Sequence, residues 1–156
     1  MPTKHGANRL YAYQQIHETV MKHQLCNGFV LSDESVFTPF HDFILLEGII
    51  SCLGDIRLDV SREISILTNE GADSLVQTVA YSYNAYLVGV GNILRYDSPH
   101  ATHNIEHHVH RYEVLNGGKQ RPITFLPDEE QRPTLGEVLD ELAEWYYSNY
   151  NALLSR

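Results

Sequence analysis

Between His100 and His110 the chain carries five of its nine histidines, at positions 100, 103, 107, 108 and 110. Arg95 and Asp97 stand just before this segment, and Arg111 and Glu113 just after it. Three chemistries use such a set. Neutral imidazoles beside a carboxylate ligate Zn, Mn, Fe or Ni. Two imidazoles also make a general base and a general acid, because their ordinary pKa of about 6.5 lies close to neutral pH. An arginine beside them stabilises charge developing on a phosphate, and in RNA the 2′-hydroxyl is an internal nucleophile. The third use is not catalytic: a histidine-rich surface that binds or regulates a partner and responds to pH. Neither H-E-x-x-H nor a zinc-finger spacing is present to choose among them.

Strand alternation narrows the set. If residues 107–112 form a strand, His108, His110 and Tyr112 point one way, and His107, Val109 and Arg111 the other. On the preceding strand Arg95 and Asp97 share a face, while Leu94 and Tyr96 share the opposite one. An antiparallel pair of these strands brings Arg95, Asp97, His108 and His110 onto one surface, with His100 or His103 above it. Val109, Leu94 and Tyr96 then turn towards the core. In a metal-free site, His108 and His110 are the acid–base pair, Arg95 clamps phosphate, Asp97 orients an imidazole and His100 assists. In a metal-dependent nuclease or phosphoesterase, His100, His108, His110 and Asp97 are the ligands of Zn or Mn. Arg111, Tyr96 and Tyr112 are the candidate substrate contacts. Tyr81, Tyr83, Tyr86, Tyr96 and Tyr112 have faces on which bases can stack, but aromatic residues at strand spacing more often belong to a core.

The elements that must position these residues are legible from periodicity. Residues 8–24 place Leu10, Tyr13, His17, Val20 and Met21 on one helical face, with Asn8 as N-cap. Residues 29–42 read as a short strand or an irregular connection, and Pro39 acts against a long helix. "FILLEGIISCLG" from Phe43 suits a buried strand, interrupted by Glu47. "DIRLDVSREISIL" alternates through Ile56, Leu58 and Val60. In "LVQTVAYSYNAYLV", Val79, Tyr81 and Tyr83 share a face. "GVGNILRYDS" and "HHVHRYEVL" are further strands, with "NGG" at 116–118 as a turn. Near the end, Thr134 and Glu137 have capping-box spacing after Pro133. Leu135, Val138, Leu139, Leu142, Tyr146 and Leu153 make an apolar stripe on the helix begun there. The expectation is an α+β fold: one antiparallel sheet, a meander of about five strands, packed by an N-terminal and a C-terminal helix.

Length and composition agree with one domain over residues 1–156, since domains commonly run to about 100–200 residues. No apolar run approaches the ~20 residues of a membrane span, and "MPTKHGANRL" lacks the apolar stretch of a secretory signal. These features point to a cytoplasmic protein. Cys26 and Cys52 form no CxxC and read as reduced core thiols. The net charge is −9, and seven of the 20 acids fall within residues 128–144 beside a single base. A broad basic nucleic-acid face is therefore excluded, and any RNA contact is local to Arg95, the histidines and Arg111.

"YSYNAYLVGVGNILRYDSPHATHNIEHHVHRYE", with "RPTLGEVLDELAEW" after it, resembles the TumE family of bacterial type II toxin–antitoxin toxins. The resemblance spans about residues 43–147 and leaves residues 1–40 as an N-terminal helical extension. It rests on a Tyr-rich strand, an L-x-R-Y-D strand, a PH-type loop, an H-H-x-H strand and a closing helix. Here those are Leu94, Arg95, Tyr96, Asp97, Ser98, Pro99, His100, His107, His108 and His110. Ser98 and Ala101 depart from the family's usual Asn and second His. The resemblance implies a small cytoplasmic toxin held by a helix-turn-helix antitoxin, with RNA as the substrate to be cut. It leaves a homodimer open.

Overall fold

Residues whose polarity alternates with period two supply the centre of the molecule. The computed structural model describes residues 4–99 and 106–156. In chain order the elements are β1 (Asn8–Arg9), α1 (Leu10–Cys26), β2 (Val30–Asp33), β3 (Val36–Pro39), β4 (Phe43–Cys52) and β5 (Ile56–Ile66). After them come β6 (Leu75–Leu87), β7 (Gly91–Asp97), β8 (His108–Glu113), β9 (Lys119–Gln120), β10 (Thr124–Phe125), α2 (Leu135–Ser148) and α3 (Tyr150–Leu154). The strands form one antiparallel sheet in the order β10-β8-β7-β6-β5-β4-β2, with β1 joined to β6, β3 to β4 and β9 to β8. The α+β expectation holds. The strand count exceeds the expected five because short strands of two to four residues line the rims of the five long ones.

In β5, Ile56, Leu58, Val60 and Ile64 are buried against the helices, whereas Arg57, Asp59, Ser61 and Glu63 lie on the other face. β4 does the same: Ile44, Leu46, Ile50 and Cys52 are buried, and Glu47 and Ile49 are exposed, so only one of its faces is covered. In β6 the alternation slips. A bulge between Glu63 and Ile64 of the partner register shifts Val79 out of line, and it is exposed while Tyr81 and Tyr83 stack in the interior at 5.2 Å. The expected sharing of a face thus fails at Val79, because the extra residue of a bulge resets the period. Close approach explains one glycine. A Cβ on Gly48 would come within 2.5 Å of the backbone of Glu34 and Ser35, so only Gly lets the β2–β3 link cross β4 there.

α1 starts differently from the expectation. Asn8 pairs with Val76 as a strand residue, Arg9 occupies the cap position without a side-chain bond, and the Leu10 amide donates to the Ser74 carbonyl at 2.8 Å. A sheet contact therefore replaces the side-chain cap. β1, β2 and β3 pair with β6 and β4, and Met21, Phe29 and Val30 enter the common core, so this N-terminal stretch is built into the sheet. α2 starts as its capping box requires: the Glu137 amide donates to Thr134 Oγ1 at 3.2 Å, and the Thr134 amide to Glu137 Oε1 at 3.0 Å. Leu135, Val138, Leu139 and Leu142 are buried. Cys52 is a core thiol whose pKa burial pushes up to about 12, but Cys26, at the end of α1, is exposed. Among the described residues no helix is long and apolar enough to cross a membrane.

His17 makes the fold acid-sensitive. It is buried on α1, with its ring edge-on to Phe37 at 5.1 Å, and burial, aided by the Arg62 charge, holds its pKa below the ordinary value. Above about pH 6.5 it is neutral folded or unfolded. As the pH falls below that value the unfolded chain takes up the proton first, and stability drops until the folded-state pKa is passed. The urea midpoint is accordingly expected to fall between about pH 7.5 and about pH 5.5, and His17→Leu to reduce that slope. An unchanged slope in His17→Leu would show that other groups carry it.

Candidate functional site

β7 and β8 are adjacent antiparallel strands with Arg95 opposite His110 and Asp97 opposite His108. Tyr96 lies opposite Val109, and Leu94 opposite Arg111. Since alternate residues face opposite ways, the two pairings place Arg95, Asp97, His108 and His110 on the face away from the helices. The row continues sideways across the sheet: Ser82 of β6 is the partner of Asp97, and Asn84 the partner of Arg95. On the other flank Phe125 of β10 is the partner of His108, with ring centroids 6.5 Å apart.

One ligand atom each from Asp97, His108 and His110 lies within 4.8 Å of the others. The rings of His108 and His110 meet edge to face at 4.8 Å. His108 is 3% exposed and Asp97 6%, so this corner of an otherwise polar face is shielded from water. His108 Nδ1 donates to the Glu106 carbonyl at 2.7 Å, which leaves Nε2 as a lone pair in the neutral ring. That nitrogen faces Asp97 Oδ2 at 3.7 Å, too long for a hydrogen bond. With the ring in its neutral form, two acceptors face each other across a gap that suits a cation. The Gln120 amide meets His110 Nδ1 at 2.9 Å and orients that ring. Burial first, then the neighbouring His108, lowers the His110 pKa and favours the neutral ring, whose Nδ1 lone pair accepts from the Gln120 amide nitrogen. Turning that amide so that its oxygen accepts from Nδ1–H frees Nε2 as the lone pair.

Arg95 completes the arrangement. Its Nε donates to both Asp97 oxygens, at 3.1 and 2.8 Å. Its two Nη groups have no hydrogen-bond partner among the described residues, and its side chain is 45% exposed. They are therefore open to an incoming anion. Asn84 Oδ1, on the neighbouring strand, is buried without a hydrogen-bond partner among the described residues.

The other candidates are placed elsewhere. His107 is on the helix side, where its Nδ1 meets the Tyr81 hydroxyl at 2.8 Å. Tyr96 donates to Glu141 of α2 at 2.6 Å, and Arg111 reaches both Glu141 and the Tyr96 hydroxyl. As substrate contacts for the histidine face these two are on the wrong side of the sheet: they tie α2 to β7 and β8. Tyr112 comes after His110 along β8 and pairs with Gln120. His100 and His103 fall outside the described residues. Gln120 and the Glu106 carbonyl are the contributors that sequence reasoning missed. A two-residue strand carries no period, and a carbonyl carries no residue signature. Compared with known protein families, with curated proteins and with solved structures, the chain matches none of them.

Proposed function

We propose that Asp97, His108 and His110 form a divalent-metal centre for phosphodiester cleavage, with Arg95 as the contact to phosphate. The observation that carries this reading is the convergence of three ligand atoms within 4.8 Å, with His108 Nε2 turned as a lone pair towards a carboxylate that it does not hydrogen-bond. Two imidazoles and one carboxylate suit Zn or Mn and leave coordination positions open for substrate. A metal held there supplies Lewis acidity towards a phosphoryl oxygen. The protein does the rest. The Glu106 carbonyl accepts from His108 Nδ1–H, the kind of outer support on which metal affinity depends. Gln120 would give His110 the same support with its amide turned to accept from Nδ1–H. Arg95 offers two N–H groups to a second phosphate oxygen, and its Nε bond to Asp97 fixes where they point.

His108 Nε2 is turned towards Asp97 rather than towards solvent, which favours its use as a ligand over its use as a proton donor or acceptor. One observation favours a metal-free version of the same chemistry. His110 is only half-buried, is held neutral and lies opposite Arg95, so it can serve as a single general base on an RNA 2′-hydroxyl. That is the form closest to the toxin reading, in which a cytoplasmic RNA-cutting chain is silenced by a helix-turn-helix antitoxin.

Protein purified without an affinity tag separates the two. The metal centre predicts about one equivalent of Zn or Mn per chain. It also predicts that cleavage of RNA and of bis(4-nitrophenyl) phosphate stops in EDTA and returns with added metal. Cleavage that persists in EDTA and leaves a 2′,3′-cyclic phosphate would replace the metal reading by the metal-free one. Protein that holds no metal and cleaves nothing would make the histidine face a partner-binding surface.

A further inference from the structure

The helix-covered side of the sheet contains a cavity of about 160 Å³ between α1, the core face of β5 and β6, the N-terminal segment and the first turn of α2. It lies on the opposite face of the sheet from the histidine cluster and is independent of the metal centre proposed there. Arg62 lines it, at the position where β5 should place one more aliphatic residue after Ile56, Leu58 and Val60. A guanidinium facing the core normally has a carboxylate partner. Arg62 has none among the described residues. Its contacts are two tyrosine hydroxyls: Nε and Nη2 donate to Tyr83 at 3.0 and 2.7 Å, and Nη1 donates to Tyr13 at 2.9 Å. Burial pushes the Tyr83 pKa upwards, so that hydroxyl stays neutral and does not supply the missing negative charge.

The remaining hydrogen-bond groups of the lining include several donors, beside acceptors on Asn8, His17 and Thr134. A guanidinium has five N–H groups, and three of those on Arg62 are used. Tyr83 accepts twice from Arg62, and its own O–H has no acceptor among the described residues. The Tyr13 hydroxyl shares its bond with Thr78 Oγ1 at 2.7 Å. Leu135 and Gly136 bring the first two amides of the 14-residue α2, which have no partner within the helix. Thr134 Oγ1 takes only the Glu137 amide. No Asp or Glu lines the cavity among the described residues. Of the acids that touch its lining, Glu137 is held by Lys4 at 2.8 Å and Glu129 accepts from the His5 amide at 2.9 Å. Val20 and Leu135 supply apolar wall. A space of this size is close to the about 150 Å³ that admits a benzene ring.

We propose that this cavity binds a small organic carboxylate. Its oxygens accept from the free N–H groups of Arg62 and from the Tyr83 hydroxyl, at the positive end of α2. Its apolar body, a single ring or a short chain, rests on Val20 and Leu135. Inorganic phosphate fits less well, because the apolar wall would then face a fully hydrated ion.

The test uses the full chain and two pairs of probes: benzoate with its neutral isostere benzamide, and butyrate with butyramide. Binding is read from the backbone amide resonances of Leu135 and Gly136, the Arg62 Nε–H resonance and the thermal midpoint. At least one carboxylate is expected to shift those resonances saturably and to raise the midpoint. Its amide isostere should bind at least about tenfold more weakly, as should the same carboxylate to Arg62→Met. The proposal is overturned if neither carboxylate binds at millimolar concentration, if the isosteres bind equally well, or if inorganic phosphate competes as effectively. The carboxylate–amide contrast is measured on the wild-type chain, so it decides the matter even where Arg62→Met does not fold.

Discussion

If the proposed centre is right, the His108→Ala/His110→Ala variant is expected to bind no metal there and to cleave phosphodiesters more than about 100-fold more slowly than the wild type, because loss of mere outer-shell partners already costs 10–100-fold. The variant should stay folded. Asp97 keeps both of its bonds from Arg95, so no buried carboxylate is left without a cation. A matching far-UV spectrum and thermal midpoint would establish this before activity is compared. Arg95→Met serves as the contrast. It removes no ligand but takes away the outer partner of Asp97, so its metal affinity should fall by about 10–100-fold. Assayed at saturating metal, it should still lose roughly 100-fold in kcat/KM from the missing phosphate contact. A double variant that retains metal, or cleaves as fast as the wild type, would sink the proposed centre.

Leu142→Ala should have the largest effect on stability. Leu142 is fully buried in the stripe that seats α2, beside Leu135, Val138 and Leu139. Truncating such a leucine removes its transfer free energy and leaves a cavity, about 2–5 kcal/mol together. With a urea slope near 2 kcal/mol/M, the midpoint should drop by about 1–2.5 M. The same helix backs the site, because Tyr96 and Arg111 hold Glu141 from the strands that carry Asp97 and the two histidines. The folded fraction of Leu142→Ala should bind metal as the wild type does, since all three ligands and their outer partners remain. A midpoint within about 0.2 M of the wild type would mean that α2 does not hold the sheet in this way.

Much of the histidine face was legible from residue order. A strand has period two, so the polarity of "NILRYD" and "HHVHRYE" separates His108 and His110 from His107, and Arg95 and Asp97 from Tyr96. The capping pair Thr134 and Glu137 was legible for the same reason, since both partners lie within one helical turn. Arg62 was legible in principle as a charge in an apolar alternation. The signal is one residue long, and only packing shows that no carboxylate answers it.

Local order could not supply what depends on contacts between distant segments. That His108 lies opposite Asp97 is a register, settled when β7 and β8 pair within the whole sheet. β2, β3, β9 and β10 exist because longer strands offer them an edge, and two to four residues carry no period of their own. Tyr96 and Arg111 have the right chemistry for a substrate, but Glu141, 45 and 30 residues further on, engages both on the opposite face. The sequence by itself determined which residues share a face along β5, β7 and β8, through a period of two that the bulge in β6 interrupts. The tertiary structure alone decided which faces meet and which acceptors are left facing each other, because pairing and burial are properties of the folded chain.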